Sequence, residues 1–501
     1  MTFGALFPDT STSTPSRVTW SWVWPVLGVA FLARLALAFW GDVPVHPDET
    51  YQYHEQAFRV VHGYGFVPWE YSAGIRSWLI PGLLAGLLWT GNLVGIDTSA
   101  EIGTLVETTL CLISLVLPVG LYRLTQGVAS ERAAIVTFLF GCFWHHFLYY
   151  AHKPMPGVLA TYALIWMLVL MLRAPTSARL WMVGLLSGLV LTLRYQIVPA
   201  LGLLNLFALM RLRQRYLPMF LGNLVALLAA GLLDLVTWGG FLSSFIDNFR
   251  VNFMYDIASN FGTAPIEFYA KRFGAETGGL VLLAAAGCVV LWPRFWPVIV
   301  SVVTCVAFMH IPAHKEFRFV TCAMPFVVMS AAVIACHPRL PAVLAPAFVL
   351  FWGAGVSLVF VASYTGIGAP LGHYQETARH GMTLMRAARD TGRVTGVDIR
   401  TRGLTIEHLG GYSTLGQTAR FHIGLDRPGD RAAISHIIAQ ASAPPPSGFT
   451  KLTQSGPFVL WQSQTDEPRP ALDLQSLYWP IPDKISQNFE PYGTKSPMAQ
   501  R

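Results

Sequence analysis

Residues 41–77, which read GDVPVHPDETYQYHEQAFRVVHGYGFVPWEYSAGIRS, decide how the rest of the chain is interpreted. They follow a first long apolar run near 20–40 and precede a second near 78–94. Only 12% of the 501 residues are charged, yet this stretch holds seven charged side chains and three histidines. Carboxylates in a nonpolar chain must be hydrated, paired or used, because burying them alone is costly. We therefore expect a polar loop that carries chemistry.

The overall composition is that of a multi-span membrane protein. The chain is 53% hydrophobic, has a mean hydropathy of +0.48 and carries about half the charged fraction of soluble proteins. Its net charge of +7 is mild. The basic residues fall largely in short loops between apolar runs and in the C-terminal third. This pattern fits the positive-inside bias and phosphate contacts better than nucleic acid binding. We expect membrane lipids as partners and no nucleic acid.

The six cysteines predict neither a metal site nor a disulfide framework. They show no Cys-x-x-Cys spacing, and almost all lie inside apolar runs, as small core residues do. No other metal-ligand spacing appears, so the sequence predicts no metal and no cofactor. The first apolar run follows a Pro/Ser/Thr-rich segment and lacks a small-residue cleavage site, so we expect it to be a retained first span. Residues 1–17 are expected to form a disordered cytoplasmic tail.

The apolar runs predict an all-α polytopic protein with about eleven transmembrane helices, its N-terminus inside and its C-terminus outside. The region 180–212 is too long for one simple span and is interrupted by Arg194, so it is either two short helices or one broken span. A basic turn at 211–215 and a turn at 292–297 are assigned to the cytoplasmic side. Besides 180–212, the expected spans lie near 20–40, 78–94, 103–124, 132–150, 156–172, 217–238, 278–296, 297–311, 318–336 and 340–362.

A change of composition after the last span predicts two domains, a transmembrane domain at 1–365 and a small external domain at 366–501. The second region is polar and alternates helix-like with strand-like stretches, which predicts an α/β fold. Its Pro-rich end, from about 465, is expected to be an extended or disordered tail. The helix-like stretches are 374–390 and 428–441, and the strand-like stretches are 394–399, 419–423 and 458–462.

Asp48 and Glu49 stand at the start of a predicted helix, just beyond the first span. Pro47 disfavours helix for the residue before it, so the two acids fall at the helix N-terminus. For either acid alone, capping that helix is the simpler role. Their place at the bilayer edge favours a base that acts on a lipid-carried substrate. Transfer from a phosphate-linked donor needs no general acid, because phosphate leaves readily, so a single carboxylate suffices. Asp48 is our first candidate and Glu49 the second.

Basic residues at span ends are suited to hold a lipid phosphate. Arg76 opens the second span, and the run HKEFRF at 314–319 lies at another external span end. The alternative for both is snorkelling or anchoring, which is weaker for the run because external cations oppose the positive-inside bias. Arg194 either serves the same purpose or pairs with a carboxylate such as Asp234. The candidate donor-phosphate residues are Arg76, Arg194, His314, Lys315 and Arg318.

A second polar loop, 239–276, mixes aromatic and amide side chains, which suits a surface that faces a sugar. The alternative is a solvated loop with an amphipathic helix lying on the membrane. Trp69 and Tyr71 of the first loop either stack on a sugar ring or belong to the interfacial aromatic belt.

Taken together, these motifs resemble the signature of glycosyltransferase family 22, the mannosyltransferases of glycosylphosphatidylinositol and asparagine-linked glycan assembly. The resemblance covers residues 20–336, and the combination of its first and last motifs is specific. The matching segments are HPDE at 46–49, Gln52, Glu55, 63–65, WEY at 69–71, IRS at 75–77, 193–194, Asp234 with 238–239, Asn252, 261–263, 265–269 and HKEFRF at 314–319.

The resemblance implies a GT-C fold, a polyprenyl-phosphate-mannose donor, an inverting displacement and chemistry on the lumenal or periplasmic face. The acceptor is then lipid-linked or a glycan, and Asp48 corresponds to the catalytic acid of the first external loop. The short loops suggest a bacterial member in the inner (plasma) membrane; a eukaryotic member would lie in the endoplasmic reticulum. The candidate substrate-binding residues are His46, Glu55, Trp69, Glu70, Tyr71, Asp234, Asn252 and Tyr269.

Two other functions stay open on the sequence. A transporter or flippase for lipid-linked sugars would predict inverted repeats and ionisable residues at mid-bilayer, and the sequence shows no repeat. A non-catalytic membrane subunit that binds glycolipid would need the same polar loops without the base.

Overall fold

The computed structural model describes residues 5–8, 21–40, 44, 46–96, 99–365, 373–415, 420–422, 434–465 and 477–478. Helices dominate up to residue 365, and strands appear mainly beyond it. The α-helices of the described residues are Val23–Trp40, Glu55–His62, Trp69–Ser72, Leu79–Leu93, Ser99–Ser114, Val116–Val128, Glu131–Phe143, His145–Tyr149, Pro156–Met171, Ser177–Leu193, Val198–Leu212, Leu217–Trp238, Ser243–Phe249, Phe268–Thr277, Leu280–Phe308, Met324–Ala335, Leu344–Tyr364, His373–Asp390 and Gly411–Leu415.

Long apolar helices make the chain an integral membrane protein. Within the described residues, five helical segments have the length and composition to cross a bilayer. Shorter apolar helices of 10–17 residues accompany them, so the predicted count of about eleven crossings stays a prediction. The five segments are Val23–Trp40, Gly103–Val128, Tyr195–Trp238, Leu280–Phe308 and Leu344–Tyr364.

The ambiguous region 180–212 forms two helices, which was the first of its two predicted alternatives. Ser177–Leu193 ends at Arg194, whose backbone is extended with φ −148° and ψ 95°. One short 3₁₀ turn follows, and Val198–Leu212 then begins with a proline in its first turn, where no intrahelical donor is lost. The break therefore puts Arg194 at the end of a helix.

The predicted turn at 292–297 is wrong, because the two spans expected at 278–311 form one helix, Leu280–Phe308. Pro293 and Pro297 lie inside it, and each removes a backbone donor from the helical ladder. The carbonyl of Arg294 accepts a hydrogen bond from the backbone N–H of Ala5 at 2.7 Å. The sequence rule that proline ends a helix was outweighed here by the long apolar run on both sides.

The chain packs as two compact units, with one division at 361/362, near the predicted boundary at 365/366. The first unit is Met1–Leu37 with Leu110–Val361. The second is Ala38–Thr109 with Ala362–Arg501, so the polar loop 41–77 belongs to the same unit as the C-terminal region.

In the first unit, close helix packing depends on glycine. A Cβ on Gly184 would lie 1.9 Å from the carbonyl oxygen of Met219, and one on Gly222 would lie 2.1 Å from that of Trp181. These contacts bring the backbones of Ser177–Leu193 and Leu217–Trp238 together, as small residues do between membrane helices.

Arg34 of the same unit shows how a buried charge is satisfied. Its side chain is fully buried and donates to the hydroxyl of Ser114 and to the carbonyls of Ala30, Gly141 and Cys142, each at 2.9 Å. Four donors of the guanidinium group are thereby used to join three helices, so we assign Arg34 a structural role.

The second unit has a mixed five-stranded sheet, as the α/β prediction required. Strands Arg420–His422, Gly396–Arg400 and His436–Gln440 are parallel neighbours in that order, and Phe458–Ser463 and Phe449–Ser455 continue the sheet antiparallel. The predicted strands near 394–399, 419–423 and 458–462 are confirmed where they are described, as is the helix at 374–390. The strand Phe449–Ser455 was not predicted from the sequence.

The helix expected at 428–441 is wrong over its described part, because His436–Gln440 is a strand near the middle of the sheet. Its first four residues are buried, and a strand buried on both faces reads as a continuous apolar run without alternation. Residues 428–433 lie outside the described residues, as do nearly all of the N-terminal and C-terminal tails. In the latter, Leu477–Tyr478 form a short parallel strand beside Phe66–Val67.

The main core of this unit is built jointly by the polar loop and the C-terminal region. Tyr51, Phe58 and Phe66 of the loop are buried among apolar side chains of residues 384–460. The ring of Phe66 stacks on that of Tyr412 at a centroid distance of 5.2 Å. The loop is therefore held by a hydrophobic core as well as by its span ends.

Candidate active site

A π-helical segment carries the first candidate acid. Glu49–His54 form a π-helix, a rare geometry that is frequent at functional sites, and Asp48 occupies its N-cap position. The Asp48 carboxylate makes no capping hydrogen bond to that helix. Capping was the alternative to catalysis for this residue, and the structure shows no such side-chain cap.

Asp48 lies between a histidine and an arginine. Its Oδ1 is 3.1 Å from Nδ1 of His46, and its Oδ2 is 4.0 Å from Nη2 of Arg76. The same Arg76 nitrogen is 3.9 Å from Oε1 of Glu70. The Asp48 side chain keeps 16% of its surface exposed, so solvent reaches it. By contrast, Glu49 is buried, which favours Asp48 as the base.

Glu70 is a second carboxylate beside the same guanidinium group. Burial, and then the charge of Asp48, raise the pKa of Glu70 to about 7, although Arg76 acts in the opposite direction. Gln52 donates to Glu70 Oε1 at 2.7 Å, which fixes the side chain. One guanidinium between two carboxylates can balance only one full charge, so we infer that Glu70 carries a proton for part of the time at neutral pH.

The aromatic residues of the loop differ in exposure. Tyr71 is buried, donates from Oη to the carbonyl of Gln52 at 3.0 Å and packs edge-on against Trp78 at 5.0 Å. Such a ring supports the loop rather than offering a face to a sugar. Trp69 is only half-buried at the start of the short helix Trp69–Ser72, so it keeps part of its surface for other contacts.

Glu55, a predicted substrate-binding residue, is fully buried and bonded to backbone. Its Oε1 accepts from the N–H groups of Phe66 at 3.0 Å and Tyr412 at 3.2 Å, and its Oε2 accepts from Ser413 at 2.9 Å. Burial raises its pKa, while these hydrogen bonds act to lower it. The carboxylate joins the loop to the start of the helix Gly411–Leu415, so we assign Glu55 a positioning role.

In the other unit, the predicted basic run is internally neutralised in part by Glu316. His314 Nε2 is 2.8 Å from Glu316 Oε1, and Arg318 forms a two-atom ion pair with the same carboxylate. The hydrogen bond to Glu316 raises the pKa of His314. Lys315 donates to the carbonyls of Pro312 at 2.8 Å and Ala264 at 3.1 Å, which ties the run to the second polar loop.

Arg194 and Arg318 converge on one aromatic ring of this unit. Their guanidinium carbons lie 5.3 Å and 5.7 Å from the centre of the Phe319 ring, within cation–π range. Tyr269 is buried next to them, and burial raises the pKa of its phenol. The predicted donor-phosphate residues Arg194, His314, Lys315 and Arg318 are therefore brought into one neighbourhood, whereas Arg76 belongs to the Asp48 group.

Asp234 and Asn252 make local contacts. The carboxylate of Asp234 accepts from the N–H of Ser244 at 2.9 Å and from its hydroxyl at 2.7 Å, which fixes the start of the second polar loop. Asn252 donates to the carbonyl and side-chain oxygens of Asn248, and it lies in a second π-helical segment, Arg250–Met254.

A further group of residues, which no sequence motif predicts, lies near His46 and Asp48. The ring of Tyr374 lies 6.2 Å from that of His46 and 5.2 Å from that of His408. The carbonyl of Glu407 accepts a hydrogen bond from the Tyr374 hydroxyl at 3.1 Å, which places Glu407 in the same group. These residues lie more than 300 positions from Asp48, and no local pattern marks them.

No group of three or more His, Cys, Asp or Glu side chains in the described part of the chain is arranged to hold a metal ion. The described neighbours of the Asp48 carboxylate include an imidazole and a guanidinium group.

The fold is similar to that of a solved lipid-phosphate-binding protein. The crystal structure of ArnT from Cupriavidus metallidurans bound to undecaprenyl phosphate aligns with a TM-score of 0.56 at 12% identity, covering 90% of this chain and 100% of that one. The apo state of that protein aligns with a TM-score of 0.54, also at 12% identity, covering 88% and 97%. The chain thus has the GT-C fold of membrane proteins.

A sequence model of the Alg9-like mannosyltransferase family matches residues 25–400, most of the chain. The chain therefore belongs to the Alg9-like mannosyltransferase family, as its motifs predicted. Similar proteins include GPI mannosyltransferase 3 of Drosophila melanogaster, 26% identical over 305 residues, which are 58% of this chain and 53% of the fly protein.

Two further relatives bear names of the same kind. GPI mannosyltransferase 3 of Trypanosoma brucei brucei is 23% identical over 525 residues, with 91% of this chain and 89% of that protein aligned. GPI alpha-1,2-mannosyltransferase 3 of Bos taurus is 24% identical over 306 residues, 58% of this chain and 55% of the bovine protein. The chain spans about half the length of the fly and bovine proteins.

Proposed function

We propose that this protein transfers mannose from a polyprenyl-phosphate-mannose donor to a hydroxyl group of a lipid-linked or glycan acceptor. Family membership supports the sugar, and the undecaprenyl phosphate bound by ArnT, which shares the fold, supports the lipid carrier. The active site is on the external face of the membrane: the periplasmic face of a bacterial inner membrane, or the lumenal face of the endoplasmic reticulum in a eukaryote.

The single observation that carries the proposal is the environment of Asp48. Its carboxylate is partly exposed, does not cap its helix, and lies 3.1 Å from His46 and 4.0 Å from Arg76. A carboxylate with such neighbours is suited to accept a proton, and phosphate needs no proton to leave.

In the proposed reaction, Asp48 removes the proton of the acceptor hydroxyl as its oxygen attacks the anomeric carbon of mannose. The new bond forms on the face opposite the phosphate, and the old carbon–oxygen bond breaks with its electron pair passing to the phosphate. The anomeric configuration is therefore inverted. Arg76 offsets negative charge near the base, and the group of Arg194, Lys315 and Arg318 is proposed to bind the donor phosphate.

A transfer assay tests this function. The full chain, purified in detergent, is incubated with radiolabelled polyprenyl-phosphate-mannose and a synthetic lipid-linked mannoside, and the product is identified by mass and by the configuration of its new bond. We expect a mannosylated lipid with inverted configuration. Donor binding without product would support a glycolipid-binding subunit, and movement of intact donor across a vesicle membrane without transfer would support a flippase.

A further inference from the structure

The C-terminal domain places three side chains beside the Asp48 group, from a part of the chain that none of the predicted motifs includes. Tyr374 lies on the helix His373–Asp390, and Glu407 and His408 lie on a 3₁₀ turn. The two segments are joined by a hydrogen bond from the Tyr374 hydroxyl to the carbonyl of Glu407 at 3.1 Å. Tyr374 is half-buried and Glu407 is exposed, so this group presents surface to a ligand.

The turn is fixed rigidly to the segment that carries the base. The hydroxyl of Tyr51, in the π-helix Glu49–His54, donates to the carbonyl of Ile406, and Ile406 is part of the shared core. The His408 ring is fixed too, because its Nδ1 is 2.9 Å from the hydroxyl of Thr405 and accepts from the N–H of the same residue at 3.2 Å. The orientation of the turn toward Asp48 is therefore set by hydrogen bonds and packing.

The two carboxylate oxygens of Asp48 have different neighbours. Oδ2 lies 4.0 Å from Nη2 of Arg76, a cation that suits a phosphate. Oδ1 lies 3.1 Å from Nδ1 of His46, whose ring is next to that of Tyr374, and Tyr374 in turn contacts His408 and the backbone of Glu407. An anionic group repels a phosphate, whereas aromatic rings and a carboxylate together suit a sugar: rings pack on its C–H faces, and the carboxylate accepts from its hydroxyls.

We propose that Tyr374 and Glu407 bind the sugar of the acceptor and orient its hydroxyl toward Asp48. His408 holds the Tyr374 ring in place. This assignment rests on the proposed function, because it assumes that Asp48 removes the acceptor proton and therefore lies next to the acceptor subsite. It gives the C-terminal domain a direct part in acceptor selection, and it predicts that changes there affect the acceptor and leave donor binding unchanged.

Kinetics with both substrates varied separately test the proposal. We expect Tyr374→Ala and Glu407→Gln each to raise the KM for a synthetic lipid-linked mannoside about tenfold, equivalent to about 1.4 kcal/mol. The KM for polyprenyl-phosphate-mannose should stay within about twofold of wild type. Tyr374→Phe keeps the ring and should retain most acceptor affinity. Glu376→Gln, an exposed acid on the same helix, is the matched control.

Equilibrium binding of a fluorescent derivative of the same mannoside, without donor, separates this proposal from the proposed function. Weaker binding by Tyr374→Ala and Glu407→Gln, at unchanged melting temperature, supports the acceptor subsite even if no mannose transfer is ever detected. Wild-type binding that neither substitution weakens overturns it, and so does an equal rise in both KM values. If either contradicting result is found while the wild-type protein still transfers mannose, the proposed function stands and only the acceptor subsite is withdrawn.

Discussion

The carboxylate of Glu55 accepts a hydrogen bond from the backbone N–H of Ser413 at 2.9 Å, although 358 positions separate the two residues. This contact ties the helix Glu55–His62, which directly follows the π-helix after Asp48, to the C-terminal domain. The partners of this motif acid therefore lie beyond the residues that define the motif.

Replacing Glu55 should lower stability more than it alters the chemistry. In Glu55→Ala, the N–H groups of Phe66, Tyr412 and Ser413 lose their acceptor in a buried site, at about 1–3 kcal/mol for each group left unpaired. We expect a clear fall in the melting temperature in detergent, with Glu55→Gln falling less because it keeps one acceptor oxygen. An exposed control, Glu376→Ala, should melt as wild type. If Glu55→Ala melts as wild type but cannot bind acceptor, its role is recognition.

Gly411 should be sensitive to the smallest substitution. Its φ is +69°, and a Cβ there would lie 2.5 Å from Oε2 of Glu55. Gly392 has nearly the same φ, +67°, but a Cβ there would meet nothing within 4 Å, so it is a matched control for backbone strain. We expect Gly411→Ala to lower the melting temperature well beyond Gly392→Ala. Equal effects would show that the carboxylate is not where the structure has it.

The raised pKa of Glu70 predicts how stability varies with pH. A carboxyl group whose pKa rises from 4.5 to about 7 on folding stabilises the protein fully below pH 4.5, and that contribution is lost as the pH rises through about 7. The contribution is on the order of 3 kcal/mol by the usual conversion. Glu70→Gln removes it, so wild type should lose melting temperature between pH 5 and 8 relative to this variant. Parallel curves for the two proteins would exclude the raised pKa.

Arg318 should matter for the donor more than for the acceptor. Its guanidinium group pairs with Glu316 and lies over the Phe319 ring beside Arg194. Loss of a charged hydrogen bond costs about 1.5–3 kcal/mol, so we expect Arg318→Ala to raise the donor KM roughly ten- to a hundredfold. Arg339→Ala, at an exposed arginine, should leave it unchanged. An unaltered donor KM in a folded Arg318→Ala protein would assign the ion pair a purely structural role.

Local patterns in the sequence were enough for the membrane class, the break at Arg194 and the acid-rich loop. Apolar runs and charge positions are properties of neighbouring residues. The motifs from HPDE to HKEFRF are also short local segments, and their order is read directly from the sequence. Asp48 was identified as the first candidate acid because its position at a span end and its motif agreed. The competing role of helix cap could be judged only from the direction of its side chain.

Long-range packing accounts for what the sequence could not predict. The polar loop contributes three core residues that no local pattern marks: Tyr51, Phe58 and Phe66 pack against apolar side chains of residues 384–460. The motif predicted Glu55 to be a substrate ligand. Its hydrogen bonds to the backbone near 412–413 could not be predicted, because those residues are distant in the chain. The strand His436–Gln440 read as a helix because burial on both faces removes the alternation that marks a strand.

The most direct test of the account is a single-turnover measurement on Asp48→Asn. The protein is mixed in excess with radiolabelled polyprenyl-phosphate-mannose and saturating lipid-linked mannoside, so that the chemical step is observed apart from product release. Removing a general base should slow that step roughly a hundred- to ten-thousandfold, with the melting temperature and donor affinity retained. Asp390→Asn, at an exposed aspartate, should react at the wild-type rate. A folded Asp48→Asn protein that transfers mannose at the wild-type rate would contradict the role assigned to Asp48.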